Sequence, residues 1–478
     1  MSKLYVFGIG GTGSRVLRAL TMLLACGVEC KSNTIVPIII DPDDSAADKT
    51  RTVEAMKKYE SIRKKLTFPD ANKNRFFFTE LRSVVGMENF GFPLNNTRDC
   101  YFKDFMKMEE LDKESRALVN LLFSQKNLDS DMKVGFKGNP NIGSIVLNQF
   151  GNSQHYKDFA NDFKEGDRIF IISSIFGGTG ASGFPLLLKT LRFDNNSPSW
   201  NLISKAKIGA VTVMPYFKVK QDDNSGVDSS TFVSKTKAAL AYYENNISKN
   251  GSVNALFYIG DNVPASYDNH DGGSEQKNKA HIVELCSALA ILKFAGMDDT
   301  ELTDDTKHYE YGLDTDNEDI TTILFNNLGR NTKDSIQIPM TQFILMHKYI
   351  KNKLADEYLH QPWAIDSKLD KAFFTGDFYS DVTKFTSYYE EWLEEMNDNT
   401  RSFNPFNISK RKPLFDLING RKSIGAYSII PPTTNYALFD NRLNSRFKRW
   451  NKAASCEEKF METFYRATDK MVKDIYKL

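Results

Sequence analysis

The sequence predicts an α/β fold in which a parallel sheet is followed by a long central helix and a C-terminal domain of mixed α+β structure. Three observations support this prediction: short apolar segments, helical patterns between them, and glycine-rich turns directly after two of the apolar segments. Continuous apolar segments are typical of parallel strands, because helices cover both faces of a parallel sheet. A chain of 478 residues is long enough for two or three domains.

The predicted strands and helices alternate along the first part of the chain. The first strand covers residues 4–7 and leads through a glycine-rich turn into a helix that ends near Ala25. A second apolar strand, 35–40, ends at Asp41. The later strands are predicted at 168–174, 208–214 and 253–259, and the later helices at 184–191, 232–246 and 281–294. This alternation predicts one parallel sheet.

The predicted domain organisation follows changes in composition. Residues 1–280 form the sheet domain, which contains a charged and mostly helical insertion at about 50–130. The central helix covers 281–296, and the C-terminal domain covers 297–478. In that domain, further strands are predicted at 322–325 and 424–430, and helices at 340–354 and 457–475.

Composition argues against several classes of protein. Lys and Arg total 62 against 61 Asp and Glu, so the basic excess of a nucleic-acid-binding protein is absent. No apolar segment reaches the ~18 residues that a membrane span needs, and the chain enters its first strand at Leu4 without a leader pattern. The five cysteines have no second Cys/His pair at metal-ligand spacing and are typical of reduced thiols. We expect a cytoplasmic protein that binds no nucleic acid directly and does not span a membrane.

The two glycine-rich turns, residues 8–14 (GIGGTGS) and 177–183 (GGTGASG), each lie between a strand and a helix. Glycine lets the backbone approach an oxyanion closely, and the N–H groups of the helix start then point at it. Two such turns, about 170 residues apart, suggest that phosphates are held from two sides. Neither turn contains lysine or the P-loop pattern, so we expect backbone dipoles and hydroxyls to bind the phosphates, with Mg²⁺.

Two other interpretations of the first turn remain. Its Gly8-x-Gly10-x-x-Gly13 spacing also fits the dinucleotide fingerprint of a Rossmann NAD(P)-binding protein. It also fits a tight structural turn with no ligand. The Rossmann interpretation leaves unexplained the second turn and the turn-rich segment 138–143 (GNPNIG).

Five segments, in the right order, resemble the tubulin/FtsZ superfamily. Residues 177–181 (GGTGA) resemble its glycine signature, and residues 8–14 are similar to its first phosphate loop. Residues 138–143 resemble the Ala-Asn-Pro-x-Val-Gly loop of FtsZ, which faces the γ-phosphate. Residues 211–217 (VTVMPYF) and 259–262 (IGDN) resemble two strand ends of the family. The resemblance covers residues 1 to about 296 and identifies the chain as a divergent bacterial member.

The resemblance implies a set of nucleotide-binding residues, with GTP or GDP and Mg²⁺ as cofactors and no metal held by the protein alone. Those from the three loops are Gly10, Gly11, Thr12, Gly13, Ser14, Gly138, Asn139, Gly177, Gly178, Thr179, Gly180, Ala181 and Ser182. The sequence departs from the family at Phe176 and at Ser182, which moves the last glycine to Gly183. Ser14 and Arg15 occupy the positions at which the family has a polar side chain that recognises guanine.

Polar residues at strand ends complete the predicted site. Asp41, Asp261 and Asn262 follow predicted strands, and open parallel sheets bind ligands at the carboxyl ends of their strands. Asp41 is expected to contact ribose or Mg²⁺, with a helix N-cap as the alternative. Asp261 and Asn262 are expected to contact ribose or base, with a turn as the alternative. His281 and Glu284 start the central helix where the base would stack, unless they lie on the surface.

Catalysis is assigned to the acidic loop after the central helix. The resemblance implies that this loop, in one subunit, polarises the water that attacks the nucleotide of the next subunit. Asp298 and Asp299 are the predicted catalytic residues, and a solvated acidic loop is the alternative.

Two functions remain open. The resemblance implies a GTPase that assembles head to tail into filaments. The alternative is a nucleotide-gated switch or scaffold that does not polymerise and serves a protein partner; the insertion and the C-terminal third favour this alternative.

Overall fold

The structure is a computed structural model. It describes residues 2–67, 71–94, 100–132, 135–136, 138–219, 232–262, 265–267, 273–275, 277–310, 320–354, 360–408, 414–421, 435–444 and 454–478. Within these residues no helix is both long and apolar enough to cross a membrane.

A seven-stranded sheet with all of its strands parallel forms the centre of the molecule. The order of its strands is β3-β2-β1-β4-β5-β7-β9, and two short parallel pairs, β6-β8 and β10-β11, lie outside it. The predicted α/β class is confirmed, and the five predicted strands of the sheet domain are present as β1, β2, β4, β5 and β7. The strands are β1 (Lys3–Ile9), β2 (Thr34–Ile40), β3 (Glu80–Leu81), β4 (Arg168–Ser174), β5 (Ile208–Val213), β6 (Phe217–Val219), β7 (Ala255–Ile259), β8 (Ala265–Tyr267), β9 (Lys307–Glu310), β10 (Thr322–Ile323) and β11 (Ser402–Phe403).

The strand order reverses between β1 and β4, and this reversal positions the candidate site. From β1 the chain proceeds to β2 on one side, and from β4 it proceeds to β5 on the other. Since parallel crossovers are right-handed, α1 after β1 and α8 after β4 lie on opposite faces of the sheet. A crevice therefore opens beyond the carboxyl ends of β1 and β4, where open α/β sheets bind their ligands.

Helices form a layer on each face. On one face α1 packs against α2 and α11. On the other face α8 packs against α6, and Phe184 of α8 meets Tyr243 of α10 at 5.2 Å between ring centroids. The helices are α1 (Gly10–Ala25), α2 (Ala47–Arg63), α3 (Phe102–Phe105), α4 (Lys113–Leu122), α5 (Gln125–Leu128), α6 (Pro140–Leu147), α7 (Gln154–Asp162), α8 (Gly178–Phe193), α9 (Trp200–Ile203), α10 (Phe232–Tyr243), α11 (Ile282–Ala295), α12 (Arg330–Tyr349), α13 (Pro362–Asp366), α14 (Lys371–Phe374), α15 (Asp377–Asn397), α16 (Asn435–Asn444) and α17 (Cys456–Met471).

The helical insertion is smaller than the sequence predicts. Residues 47–63 form α2, which packs on α1 as part of the helical layer, and β3 adds an edge strand to the sheet. Residues 100–132 contain α3, α4 and α5 and contribute no strand to the main sheet; we call them the helical insertion. The sequence shows only that this segment is charged and poor in strands. That pattern cannot distinguish a helix that packs on the sheet from a helix in an insertion, because both expose charged side chains.

The described residues on either side of the helical insertion lie at the carboxyl end of β2. On the way in, the backbone N–H of Phe92 donates to the carbonyl oxygen of Ile39 at 2.8 Å. On the way out, Gly135 lies beside Pro42, and a Cβ on that glycine would lie 3.8 Å from Pro42 Cγ. The described segments that flank the helical insertion therefore lie at the same end of the sheet as the crevice.

The C-terminal region packs on the layer that contains α1 and α2. Helix α15 contacts α2, and α12 contacts both α15 and α17. Strand β9 joins β7 in the main sheet, so the sheet continues past residue 297, where the sequence predicts the C-terminal domain to begin. Within the described part of this region, β10 and β11 form a two-stranded pair among helices. The predicted strand at 424–430 lies outside the described residues.

Candidate functional site

Three glycine loops that are distant in sequence meet in the crevice. Gly10 has a φ of 70°, and a Cβ there would lie 3.3 Å from Thr179 Cβ. A Cβ on Gly178 would lie 3.0 Å from the backbone nitrogen of Asn139 and 3.1 Å from that of Gly138. Residues 10–14, 177–182 and 138–139 therefore lie side by side at the crevice, and we call them the three-loop cleft.

Three helices begin at the three-loop cleft. Helices α1, α6 and α8 start at its three loops, and none of them has an acidic residue in its first turn. The side chains of the residues before them, Ile9, Asn139 and Gly177, form no capping hydrogen bond. Each helix start presents backbone N–H groups without intrahelical partners and roughly half a positive charge. Three such ends around one cleft favour an anion with several charges, such as a polyphosphate.

The predicted loop residues do not all have the same role. A Cβ on Gly13 would lie 2.4 Å from the carbonyl carbon of Gly8, and a Cβ on Gly180 would lie 2.7 Å from the carbonyl oxygen of Ser174. These glycines permit α1 and α8 to pack against their strands. The half-buried loop residues, which form the accessible lining of the cleft, are Gly11, Gly138, Asn139, Gly177, Thr179 and Ala181.

The hydroxyls of the loops also differ. Ser182 Oγ donates to the carbonyl oxygen of Gly178 at 2.6 Å, so it stabilises the turn. Thr12 Oγ1 accepts from Arg15 Nη2 at 3.4 Å. Ser14 Oγ is buried and has no hydrogen-bond partner among the described residues. Among the buried hydroxyls of these loops that the structure describes, Ser14 is thus the one without a hydrogen-bond partner.

Asp41 lies at the carboxyl end of β2, on the same edge of the sheet as the cleft. Its carboxyl group is buried and accepts the backbone N–H of Asp43 at 3.1 Å. The nearest cation, Lys49 Nζ, lies 3.2 Å from the carbonyl oxygen of Asp41 and 2.6 Å from Asp44 Oδ1. Burial raises the pKa of Asp41 to about 7. Helix α2 is capped at Ala46 without a side-chain hydrogen bond, so the N-cap alternative for Asp41 is not realised.

The raised pKa of Asp41 predicts a pH-dependent stability. The folded chain holds a proton on Asp41 up to about pH 7, whereas the unfolded chain releases it near pH 3.9, so stability is lost as the pH rises between these values. Asp41→Asn keeps a neutral group at every pH. We expect its free energy of unfolding, relative to that of the wild type, to rise by roughly 2–3 kcal/mol between pH 5 and pH 8. Urea unfolding at both pH values measures this, with the exposed Asp305→Asn as the control; equal pH dependence in wild type and Asp41→Asn would contradict it.

Asp261 and Asn262 follow β7 as predicted, but their side chains already have a partner. Arg401 Nε lies 2.9 Å from both carboxylate oxygens of Asp261, and Arg401 Nη2 lies 2.9 Å from Asn262 Oδ1. Arg401 also donates to the carbonyl oxygen of Ile320. These contacts tie the end of β7 to the C-terminal region, so a contact with ribose or base requires Arg401 to move.

Arg15 lies inside a buried charged cluster next to the cleft. Its Nε lies 2.6 Å from Glu284 Oε1, its Nη1 lies 2.9 Å from Asp48 Oδ2, and its Nη2 donates to Tyr216 Oη at 2.7 Å. Tyr216 Oη donates in turn to Glu284 at 2.8 Å. The cluster links α1, α2 and the start of α11, so Arg15 is committed to these partners.

His281 and Glu284 are buried, and the surface alternative for them is wrong. His281 caps α11, with its Nδ1 accepting the N–H of Val283 at 3.1 Å, and Glu284 accepts the N–H of His281 at 3.1 Å. Burial, together with Arg15 and Arg401, lowers the pKa of His281 to about 3. The imidazole is therefore neutral at physiological pH and acts as a cap.

Lys235 is a site residue that the sequence prediction missed. It lies on α10, and its Nζ donates to the carbonyl oxygen of Gly138 at 3.1 Å. A cationic side chain from outside the glycine turns therefore contacts the three-loop cleft. The turns themselves contain no lysine. The glycine motifs carry no signal for it, since α10 and the loop at 138–139 are about 100 residues apart.

The sequence predicts that the cleft binds GTP, and we expect Lys235→Ala to weaken that binding about tenfold, or ~1.4 kcal/mol, because the change removes the one lysine that contacts these loops among the described residues. Lys237→Ala, which removes an exposed lysine from the same helix, is the matched control. Titration with a fluorescent GTP analogue measures both variants. Equal affinity of the two would exclude Lys235 from phosphate binding.

Asp298 and Asp299 lie at the opposite end of the sheet from the cleft. Arg168, the first residue of β4, lies 2.8 Å from Asp299 Oδ1, and both acids are exposed. The other end of β4 leads to the three-loop cleft. A seven-residue strand spans roughly 20 Å, so these carboxylates cannot reach a ligand in the cleft of their own chain.

No protein-family model and no curated protein matches the sequence. The solved structures that this fold resembles include two CetZ structures. CetZ from Methanosaeta thermophila strain DSM 6194 is 15% identical, with 62% of this chain and 52% of that chain covered and a TM-score of 0.28. CetZ2 from Haloferax volcanii, in a GTPγS-bound protofilament, is 13% identical, with coverage of 63% and 61% and a TM-score of 0.28.

The chain thus spans about half to three fifths of the length of these two structures. Identity and TM-score at these levels are too low to transfer a residue role or an activity from either protein.

Proposed function

We propose that the chain binds GTP in the three-loop cleft and hydrolyses it when copies assemble head to tail. The observation that supports binding most directly is the convergence of three helix N-termini at one crevice, without an acidic residue in any of their first turns. The choice of guanine rests on the resemblance of the loops to the tubulin/FtsZ superfamily.

Each loop would make a different contact with the phosphates. The N–H groups at the starts of α1 and α8 would hold the phosphates from two sides, and the loop at Gly138 and Asn139 would cover them, with Lys235 behind it. Mg²⁺ prefers oxygen ligands and keeps several waters. The described residues contain no group of three or more His, Cys, Asp or Glu side chains that could hold a metal ion. The ion would therefore be held mainly by phosphate oxygens, with the sequence-predicted Asp41, at the carboxyl end of β2, as a candidate protein ligand.

Hydrolysis would need a second copy of the chain. Asp298 and Asp299 lie about one strand length from the cleft, at the other end of the sheet. Stacking one copy on the next along the strand direction would bring these acids over the neighbour's cleft, where a carboxylate could orient the attacking water.

A switch or scaffold that does not polymerise is the second candidate function. The C-terminal region contacts the sheet domain through Glu395, which lies 2.7 Å from Arg18 Nη1 on α1, the helix that begins at the cleft, and accepts the N–H of Ala280 at 3.0 Å. Arg401 makes the second such contact, at Asp261. These contacts would allow the state of the nucleotide to change the position of the C-terminal helices.

One experiment separates these functions. The purified chain with Mg²⁺ is titrated with GTP, GDP, ATP and NAD⁺, and light scattering and phosphate release are recorded in parallel. We expect GTP-specific binding, GTP-dependent scattering, and phosphate release that rises with protein concentration. GTP binding without scattering at any concentration would favour the switch, and binding of NAD⁺ alone would overturn the proposal.

A further inference from the structure

A cavity of about 530 Å³ lies between the end of α1, the second half of α11 and the helix α12 of the C-terminal region. We call it the α12 cavity. Small-molecule sites typically have volumes of roughly 300–1,000 Å³. Since α1 begins at the three-loop cleft and its 16 residues span roughly 24 Å, the α12 cavity is a separate place in the molecule.

Four residues of α12 line the cavity along one stripe of the helix. They are Ser335, Ile338, Pro339 and Gln342, at positions i, i+3, i+4 and i+7, which lie on the same side of a helix. The stripe is about 10 Å long. Ser335 and Ile338 are exposed, whereas Gln342 is 3% exposed, so the cavity opens near Ser335 and its inner end lies at Gln342.

A polar group at each end of this stripe lacks a usual partner. At the inner end, the side-chain nitrogen Nε2 of Gln342 is buried and has no hydrogen-bond partner among the described residues. At the outer end, Pro339 interrupts α12, and proline has no N–H to donate to the carbonyl oxygen of residue i−4, which is Ser335. Because buried polar groups in proteins are normally hydrogen bonded, Gln342 in particular calls for a partner inside the cavity.

The walls between the two polar ends are apolar. The apolar residues that line the cavity are Val28, Leu289, Leu292, Met297, Ile338 and Pro339. Charged residues of both signs also border it, and Lys31 and Glu29 among them pair with each other at 2.6 Å. A ligand with a net charge would meet both signs there, so this lining favours an uncharged one.

We propose that the α12 cavity binds a small, uncharged, elongated molecule that has an apolar body and a polar group at each end. The inner end accepts a hydrogen bond from Gln342 Nε2, and the outer end donates one to the carbonyl oxygen of Ser335. The apolar body gains the free energy of leaving water. The bound molecule would contact α1, α11 and α12 together and so join the C-terminal region to the sheet domain. This inference does not depend on nucleotide binding, because the cavity lies one helix length from the cleft.

The first test compares two uncharged probes that share one apolar body. One is biphenyl with a para-hydroxyl group on one ring and a para-carboxamide on the other, and the second is biphenyl with the para-hydroxyl group alone. Only the first probe has an oxygen at the end that reaches Gln342. Isothermal titration of the full chain measures both affinities. We expect the carboxamide to bind about tenfold more tightly. Equal affinities, or no saturable binding of either probe, would overturn the proposal.

The second test removes the buried donor. Gln342→Leu keeps a side chain of similar length, and we expect it to bind the carboxamide about tenfold more weakly than the wild type and the hydroxyl probe equally well. Gln337→Leu is the matched control, because it changes another buried glutamine of α12 that lies outside the cavity; it should bind both probes as the wild type does. Circular dichroism establishes that the variants are folded. An equal loss of carboxamide affinity in both glutamine variants, or no loss in Gln342→Leu, would overturn the site.

The third test concerns the apolar wall. Ile338→Glu places a charge on an exposed wall residue, and we expect it to weaken both probes alike, because both use the same apolar body. Wild-type affinity of Ile338→Glu for both probes would show that they bind elsewhere and would overturn the assignment to the α12 cavity.

Discussion

Replacing Gly178 with valine is expected to weaken GTP binding roughly 100-fold, or about 2.8 kcal/mol, in a chain that stays folded. A Cβ at this position would lie 3.0 Å from the backbone nitrogen of Asn139, so the two methyl groups of valine must displace either the start of α8 or the loop at Gly138. Either displacement separates N–H groups that we propose hold the phosphates. Titration with a fluorescent GTP analogue measures the loss.

The matched control is Gly329→Val, because a Cβ on Gly329 would meet no atom within 4 Å. Circular dichroism and thermal unfolding establish that both variants are folded. Unchanged affinity in folded Gly178→Val would remove the cleft assignment. Gly180→Val is a poorer test, since a Cβ there would lie 2.7 Å from the carbonyl oxygen of Ser174 and would damage the packing of α8 on β4 as well.

The double variant Asp298→Asn, Asp299→Asn is expected to bind GTP normally and to hydrolyse it at least ~100-fold more slowly. Binding is spared because the acids lie at the end of the sheet away from the cleft. Folding is also spared, because the ion pair between Asp299 and Arg168 is largely exposed on the Asp299 side, and such pairs contribute at most ~1 kcal/mol. Phosphate release at saturating GTP gives the rate, and normal turnover would remove the catalytic assignment.

Mixing this double variant with Gly178→Val tests whether the acids act between copies. One variant has an intact cleft without acids, and the other has intact acids without a working cleft. If copies stack head to tail, the acids of the second variant cover clefts of the first, and the mixture recovers a measurable fraction of wild-type turnover. A mixture as slow as the two variants measured separately would exclude catalysis across the contact.

Most strands of the sheet could be predicted because each is marked by a local sequence pattern. The central parallel strands are buried on both faces, so β2 is a run of buried residues that stands out in the sequence. The glycine turns follow directly from the strands they end. Strand β9 was missed because it is short, and three of its four residues, Lys307, His308 and Glu310, are polar and exposed. Its place in the sheet depends on pairing with β7, which no local pattern encodes.

Site residues that belong to one local motif could be predicted from the sequence. Contacts between two segments that are distant in sequence could not. The three loops carry their own glycines, so each could be recognised alone. Arg401 reaches Asp261 across 140 residues, and Lys235 reaches Gly138 across 97. The sequence around an arginine or a lysine does not indicate which distant residue it will contact, so these contacts could be identified only in the structure.

The position of β1 beside β4 also has a consequence for synthesis of the chain. Lys3 and Asp167, which join these strands by a 2.7 Å hydrogen bond, are separated by 164 residues. At 5–20 residues per second, a ribosome needs on the order of 10–30 s to make the intervening segment. During that interval one edge of β1 has no native neighbour, and unpaired strand edges are prone to pair with other chains. That edge of β1 is therefore open to non-native pairing until β4 emerges and takes its place beside β1.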